Sequence, residues 1–130
     1  MGLLIDGPRY SWLAVLTVAA GCGSARTADD WLRQLRDPDV VLRRQACREL
    51  GELPAQAERV VPALAAALRD ENGYVRHDAA AALGKLGPAA AGAVPALVSV
   101  LADKEKSVRT ATAAALKKID PAAAARAGIR

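Results

Sequence analysis

Only a handful of side chains in this sequence are equipped for covalent or metal chemistry. There is one histidine, His77, directly before Asp78, and there are two cysteines, Cys22 and Cys47. An imidazole beside a carboxylate is half of a metal site, but a catalytic metal needs about three protein ligands. The dipeptides 33 residues to either side, Arg44-Gln45 and Thr110-Ala111, offer no further imidazole or carboxylate. His77 therefore reads as a solvated side chain. Cys47 stands in register with Ala80 and Ala113, which marks a small packing position rather than a thiolate nucleophile. Gly51, Gly84 and Gly87 fall where helices end or pack and do not compose a phosphate-binding loop. The residues thus predict no catalytic group, no metal, no cofactor and no small-molecule substrate.

Charge narrows the partners further. The formal net charge is +4, with no run of five like charges. Nucleic-acid binders concentrate their cations in a stripe, and that concentration is missing, so nucleic acid is not expected as a partner. What does recur is a set of isolated charges. Asp37, Asp70 and Asp103 return every 33 residues, as do Arg43, Arg76 and Arg109.

These charges sit inside a longer repeat. Leu35, Leu68 and Leu101 share the period, then Leu50, Leu83 and Leu116, then Leu53, Leu86 and Ile119. Pro62 and Pro95 also fall one period apart, in a shared Val-Pro-Ala-Leu. A sustained period of this size is the signature of a stacked solenoid. Within each unit the apolar spacing is helical. Trp31, Leu32 and Leu35 give a first helix one apolar face, opened by Thr27 or Asp29 and stopped at Asp37-Pro38. A second helix, Val40 to about Leu53, buries Leu42, Ala46, Leu50 and Leu53, and Pro54 closes it.

The second unit places Val60, Val61, Leu64 and Leu68 on its first helix and Val75, Ala79, Leu83 and Leu86 on its second. Pro62 requires the first of these to start close to it, because a proline deeper in a helix removes a hydrogen bond. In the third unit Val94, Leu97, Val98 and Leu101 are expected to face in, followed by Val108, Thr112, Leu116 and Ile119. Asp120-Pro121 reads as an N-cap and first helical residue for a last alanine-rich turn.

Alanine abounds while aromatics are confined to two Trp and two Tyr, a composition for closely packed helices and not for a sheet. The expected fold is all-α: a solenoid of three helix pairs. Each pair alone has nowhere to bury its stripe, and three is near the minimum that stacking can stabilise. The organisation that follows is a leader over residues 1–21, a tether over 22–28, the repeat domain over 29–119 and an alanine-rich cap over 120–130.

The leader is a separate matter. Tyr10 to Gly21 is an apolar run of 12 residues, too short to span a bilayer, which takes about 20, and of the length of a secretory h-region. Val18-Ala19-Ala20-Gly21-Cys22 resembles the lipobox of bacterial lipoproteins, in which the cysteine is lipidated and becomes the mature N-terminus. It departs from that pattern at Ala19, where Leu is usual, and in having Arg9 offset by Asp6. The resemblance implies export and a membrane anchor through Cys22 on the periplasmic or cell-surface side. An ordinary cleaved signal or short anchor, and an incidental leader on a cytoplasmic protein, are the alternatives.

The spacing from Leu68 to Leu86, Leu-x-Asp-x5-Val-Arg-x2-Ala-x3-Leu-Gly-x-Leu, resembles a HEAT repeat, and more narrowly the short bacterial repeats of the bilin-lyase type. The resemblance runs from about Ala28 to Ile119 and is weakest in the third unit, which has Thr112 for Ala and Lys117 for Gly. It implies that Asp37, Arg43, Asp70, Arg76, Asp103 and Arg109 form a structural ladder. In such a ladder a turn carboxylate caps the second helix and meets a guanidinium of its own repeat or of the neighbouring one; a ligand-binding row of arginines is the alternative. It also implies that the second helices line a concave face, where Arg44, Arg48, Tyr74, His77, Lys85 and Lys118 are the candidate contacts. A basic-rimmed groove accepting a helix or an acidic peptide is one expectation for this face; plain solubilising charge is the other. The expected role is a non-enzymatic protein-interaction module, with an accessory or lyase-type protein acting on a cofactor-bearing partner as the alternative.

Overall fold

The computed structural model describes residues 25–130, which are helical with short connections. Helix α1 spans Ala28–Gln34 and α2 Val40–Leu50. A 3-10 turn at Pro54–Gln56 leads to α3, Ala57–Ala67, and then α4, Gly73–Leu86. A second 3-10 segment, Gly87–Ala93, precedes α5, Val94–Val100, followed by α6, Lys106–Ile119, and α7, Pro121–Arg126. The odd-numbered helices α1, α3 and α5 are the first members of three pairs, and α2, α4 and α6 are the second members.

Short polar side chains set the helix starts. At α1, Asp30 accepts from the Thr27 backbone N–H at 2.8 Å and from its hydroxyl at 3.0 Å, which satisfies a group the first turn leaves orphaned. Asp39 caps α2 by accepting from Val41 N at 2.8 Å, and Asn72 caps α4 by accepting from Tyr74 N at 2.9 Å. Asp120 accepts from Ala123 N at 2.9 Å with Pro121 behind it, which starts α7. At the other end of α4, Gly87 takes φ of +61°, a backbone angle that favours glycine, and the chain leaves the helix there.

The core runs the length of the stack. Leu50, Leu64, Leu68, Leu83, Leu97 and Leu116 are fully buried, joined by Val60, Val75 and Val108. Second helices pack on second helices, most extensively α4 on α6 and then α2 on α4. Two glycines permit this approach. A Cβ on Gly51 would sit 3.0 Å from the Ala82 Cα, and one on Gly84 would sit 3.1 Å from the Ala115 Cα. At the corresponding position of α6 stands Lys117, which is exposed.

Two local expectations are corrected. Pro62 lies inside α3, which begins five residues earlier at Ala57. The proline is tolerated because it sits on the exposed side of the helix, where the carbonyl deprived of its partner is open to water. Val98 is 42% exposed and Val100 is buried in its stead. Each residue advances about 100° around a helix, so the buried side that contains Leu97 and Val100 leaves Val98 pointing away. The stretch Gly73–Val100 is long enough for a membrane span, and an 18-residue window of it reaches a mean hydropathy of 1.3. In the fold it is α4 and α5 with a 3-10 bend between them, and Leu83, Leu86 and Leu97 are spent on the core.

Candidate protein-interaction face

The repeated charges build two rungs that cross repeat boundaries. Arg43, on α2, donates Nε to Asp70 Oδ2 at 2.9 Å and Nη2 to Asp70 Oδ1 at 3.2 Å. Its Nη1 turns back to the carbonyls of Asp37 and Pro38, at 2.8 and 3.0 Å. Arg76 repeats the arrangement on Asp103, at 2.8 and 3.1 Å, and on the carbonyls of Asp70 and Glu71. Each carboxylate also accepts the backbone N–H two residues on, Asp70 from Asn72 and Asp103 from Glu105, so it holds its own turn as well. The helix caps are a different set of residues, Asp39 and Asn72.

A guanidinium shared between two carbonyls and a bidentate carboxylate is a pre-organised, low-entropy joint. The Asp70 hydrogen bond raises the Arg43 pKa above its ordinary value, and the Arg76 hydrogen bond lowers that of Asp103. Asp37 and Arg109 occupy the ends. Asp37 accepts from Asp39 N, and Arg109 donates to the carbonyls of Asp103 and Lys104. Neither forms an ion pair among the described residues.

A second cluster lies on the second helices, and its centre is a residue the repeat pattern does not single out. Asp78, buried on α4, accepts from Arg44 Nε at 2.8 Å and from Arg48 Nη1 at 3.1 Å. His77 Nδ1 lies 3.1 Å from the other Asp78 oxygen. The Arg44 guanidinium stacks over the Tyr74 ring, its Cζ 5.1 Å from the centroid, within the range of a cation–π contact. Four of the six candidate face residues are thus brought together. Arg44 and Arg48 are not free rim charges but are held from one repeat away.

Lys85 is also engaged, by Glu52 of the preceding unit. Lys118 is exposed and forms no ion pair among the described residues. The large exposed apolar side chains of the first two second helices are Val41 and Tyr74, 65% and 66% exposed, at equivalent positions of the repeat. Signals for the cluster were present in the sequence: Asp78 stands where the other units have Gln45 and Ala111, and it follows Arg44 and Arg48 by about one period.

The remaining chemistry-bearing residues do not join this face. Cys47 is fully buried, and burial pushes its thiol up to about 12, far from the thiolate a nucleophile needs. Among the described residues no three His, Cys, Asp or Glu side chains come together as metal ligands. Cys22 lies outside the described residues.

Helix pairs stacked on a shared core and tied by cross-repeat Arg–Asp rungs define an α-solenoid repeat protein. Residues 28–117 match the family of HEAT repeats, and the chain belongs to that family. Comparison with curated proteins returns no significant match. Among solved structures, the chain is similar to one from the complex of CpcE and CpcF of phycocyanin lyase from Nostoc sp. PCC7120, with 34% identity and a TM-score of 0.71. That match covers 79% of this chain and 41% of the other, so the chain spans about two fifths of its neighbour's length. An engineered protein matches at 23% identity and a TM-score of 0.65, over 80% of this chain and 52% of its own, and shares the fold.

Proposed function

We propose that this chain is a protein-interaction module that engages its partner through the face of α2 and α4 bearing Tyr74, Arg44 and Arg48. The observation that carries this reading is the exposed Tyr74 with Arg44 stacked on it and anchored from below by Asp78. Tyrosine and arginine dominate binding hot spots, and a side chain already fixed loses less entropy on association. Crosslinking in the native host followed by mass spectrometry identifies the partner. Charge reversal at Arg44, Arg48 and Lys85 is expected to abolish its recovery, and undiminished recovery would overturn the reading.

A lyase-type accessory role is the second reading, supported by the similarity to the phycocyanin lyase complex. It predicts that the purified chain takes up a tetrapyrrole and gains visible absorbance, which a plain interaction module does not.

The leader carries a further proposal, that the chain is exported and held at a membrane through Cys22. Replacing Cys22 with Ser is expected to move the protein from the membrane to the soluble fraction. Unchanged fractionation would count against the anchor.

A further inference from the structure

We propose that Arg44 is a carboxylate-binding fork, built by Asp78 and Tyr74, that takes a Glu or Asp side chain from an acidic segment of a partner protein. The proposal rests on the interaction-module reading and names the chemistry of its ligand. Three observations converge on it. Arg44 spends only Nε on Asp78, and neither of its Nη groups makes a hydrogen bond among the described residues. The free end-on edge of a guanidinium is the geometry that pairs bidentately with a carboxylate.

Its orientation is fixed on two sides, by the buried Asp78 oxygen at 2.8 Å and by the Tyr74 ring. Finally, the local charge is in surplus. Arg44 and Arg48 share a single Asp78 oxygen, leaving one positive charge uncompensated, whereas Lys85 is answered by Glu52. Tyr74, and Val41 one turn before Arg44 on α2, are both exposed and offer apolar surface to the residues flanking the acid.

The consequence is counter-intuitive: an acid on the protein promotes binding of an acid from the partner. Asp78 is a positioning residue. Neutralising it makes the face more positive, which a diffuse attraction would reward with tighter binding. If Asp78 instead holds Arg44 in its binding pose, the same change weakens binding.

The test is an NMR titration of the nitrogen-labelled full chain with the acetylated, amidated tripeptide Glu-Leu-Glu, followed at the Arg44 Nε–Hε signal. A saturable shift is expected in the natural chain. Asp78→Ala should weaken it about tenfold, the effect of one charge-assisted hydrogen bond. Asp78→Asn, which keeps one acceptor, should fall between.

If the alanine variant does not fold by circular dichroism, the asparagine variant carries the comparison, since it too is one charge more positive. Equal or tighter binding by a folded Asp78 variant overturns the proposal. So does an equal shift with Gln-Leu-Gln or with inorganic phosphate. Partner crosslinks that survive Arg44→Ala, with no tripeptide shift in the natural chain, sink the fork and leave the interaction module standing. A natural chain that crosslinks to no partner at all tells against the module itself.

Discussion

Arg76 Nε lies 2.8 Å from Asp103 Oδ2, and both side chains are about nine-tenths buried although 27 residues separate them. This contact ties the second repeat to the third. Removing one partner of a buried, bidentate pair leaves an uncompensated charge, so Arg76→Ala is expected to destabilise by about 3–5 kcal/mol. Arg76→Lys keeps the charge but loses the fork and should still lose about 2 kcal/mol. Urea denaturation followed by circular dichroism measures both. A lysine variant as stable as the natural chain would show that charge alone suffices.

The same pair predicts a response to acid. The Arg76 hydrogen bond holds the Asp103 pKa below the ordinary 3.8. A carboxylate depressed by folding contributes stability that is fully present above the unfolded value and disappears as pH falls through the folded one. Unfolding free energy should therefore decline below about pH 4. In Asp103→Asn it should start lower and lose less over that interval. Denaturation curves collected from neutral pH to about pH 2 make the comparison.

Close helix contact makes Gly84 a sensitive position. A Cβ there would press on the Ala115 Cα at 3.1 Å, and neither backbone can yield cheaply. Gly84→Ala should destabilise by about 1–3 kcal/mol despite alanine's better helix propensity. Lys117→Ala, at the equivalent but exposed position of α6, should change stability by less than about 0.5 kcal/mol. Thermal melts of the two variants distinguish a packing requirement from a propensity effect.

Cys47 should be chemically silent in the folded chain. It is fully buried, with its thiol pushed up to about 12. In a Cys22→Ser background, thiol labelling at pH 8 should proceed only at the rate of unfolding and become complete in denaturant. Fast labelling of the folded chain would contradict the burial. Cys47→Ala should cost less than the loss of a leucine, since Ala80 occupies the equivalent position of α4.

Much of the architecture was legible because the periodicity is local. Val75, Ala79 and Leu83 lie on one helix face by spacing alone, and all three are buried. Legibility fell where a residue's surroundings are set by a distant element. Val98 looked inward by spacing but falls outside the contact face of α5. Pro62 looked like a helix start, yet the exposed side of α3 accommodates it in the interior. The third unit read as a decayed repeat at Lys117. In the structure α6 has no following second helix to approach among the described residues, and the reason for a glycine disappears with it.

The sequence by itself determined the helix pairs, their order and the family. Each of these follows from spacing within a few turns and from recurrence along the chain. Only the tertiary structure decided what the charges do. Arg43 and Arg76 could have paired within their own repeats or across to the next, and the stacking geometry sends both across. Arg44 and Arg48 read as free cations, and Asp78 only as the neighbour of His77. Stacking α4 on α2 buries Asp78, and a buried carboxylate cannot be left without partners, so both arginines close on it and one of them stacks on Tyr74.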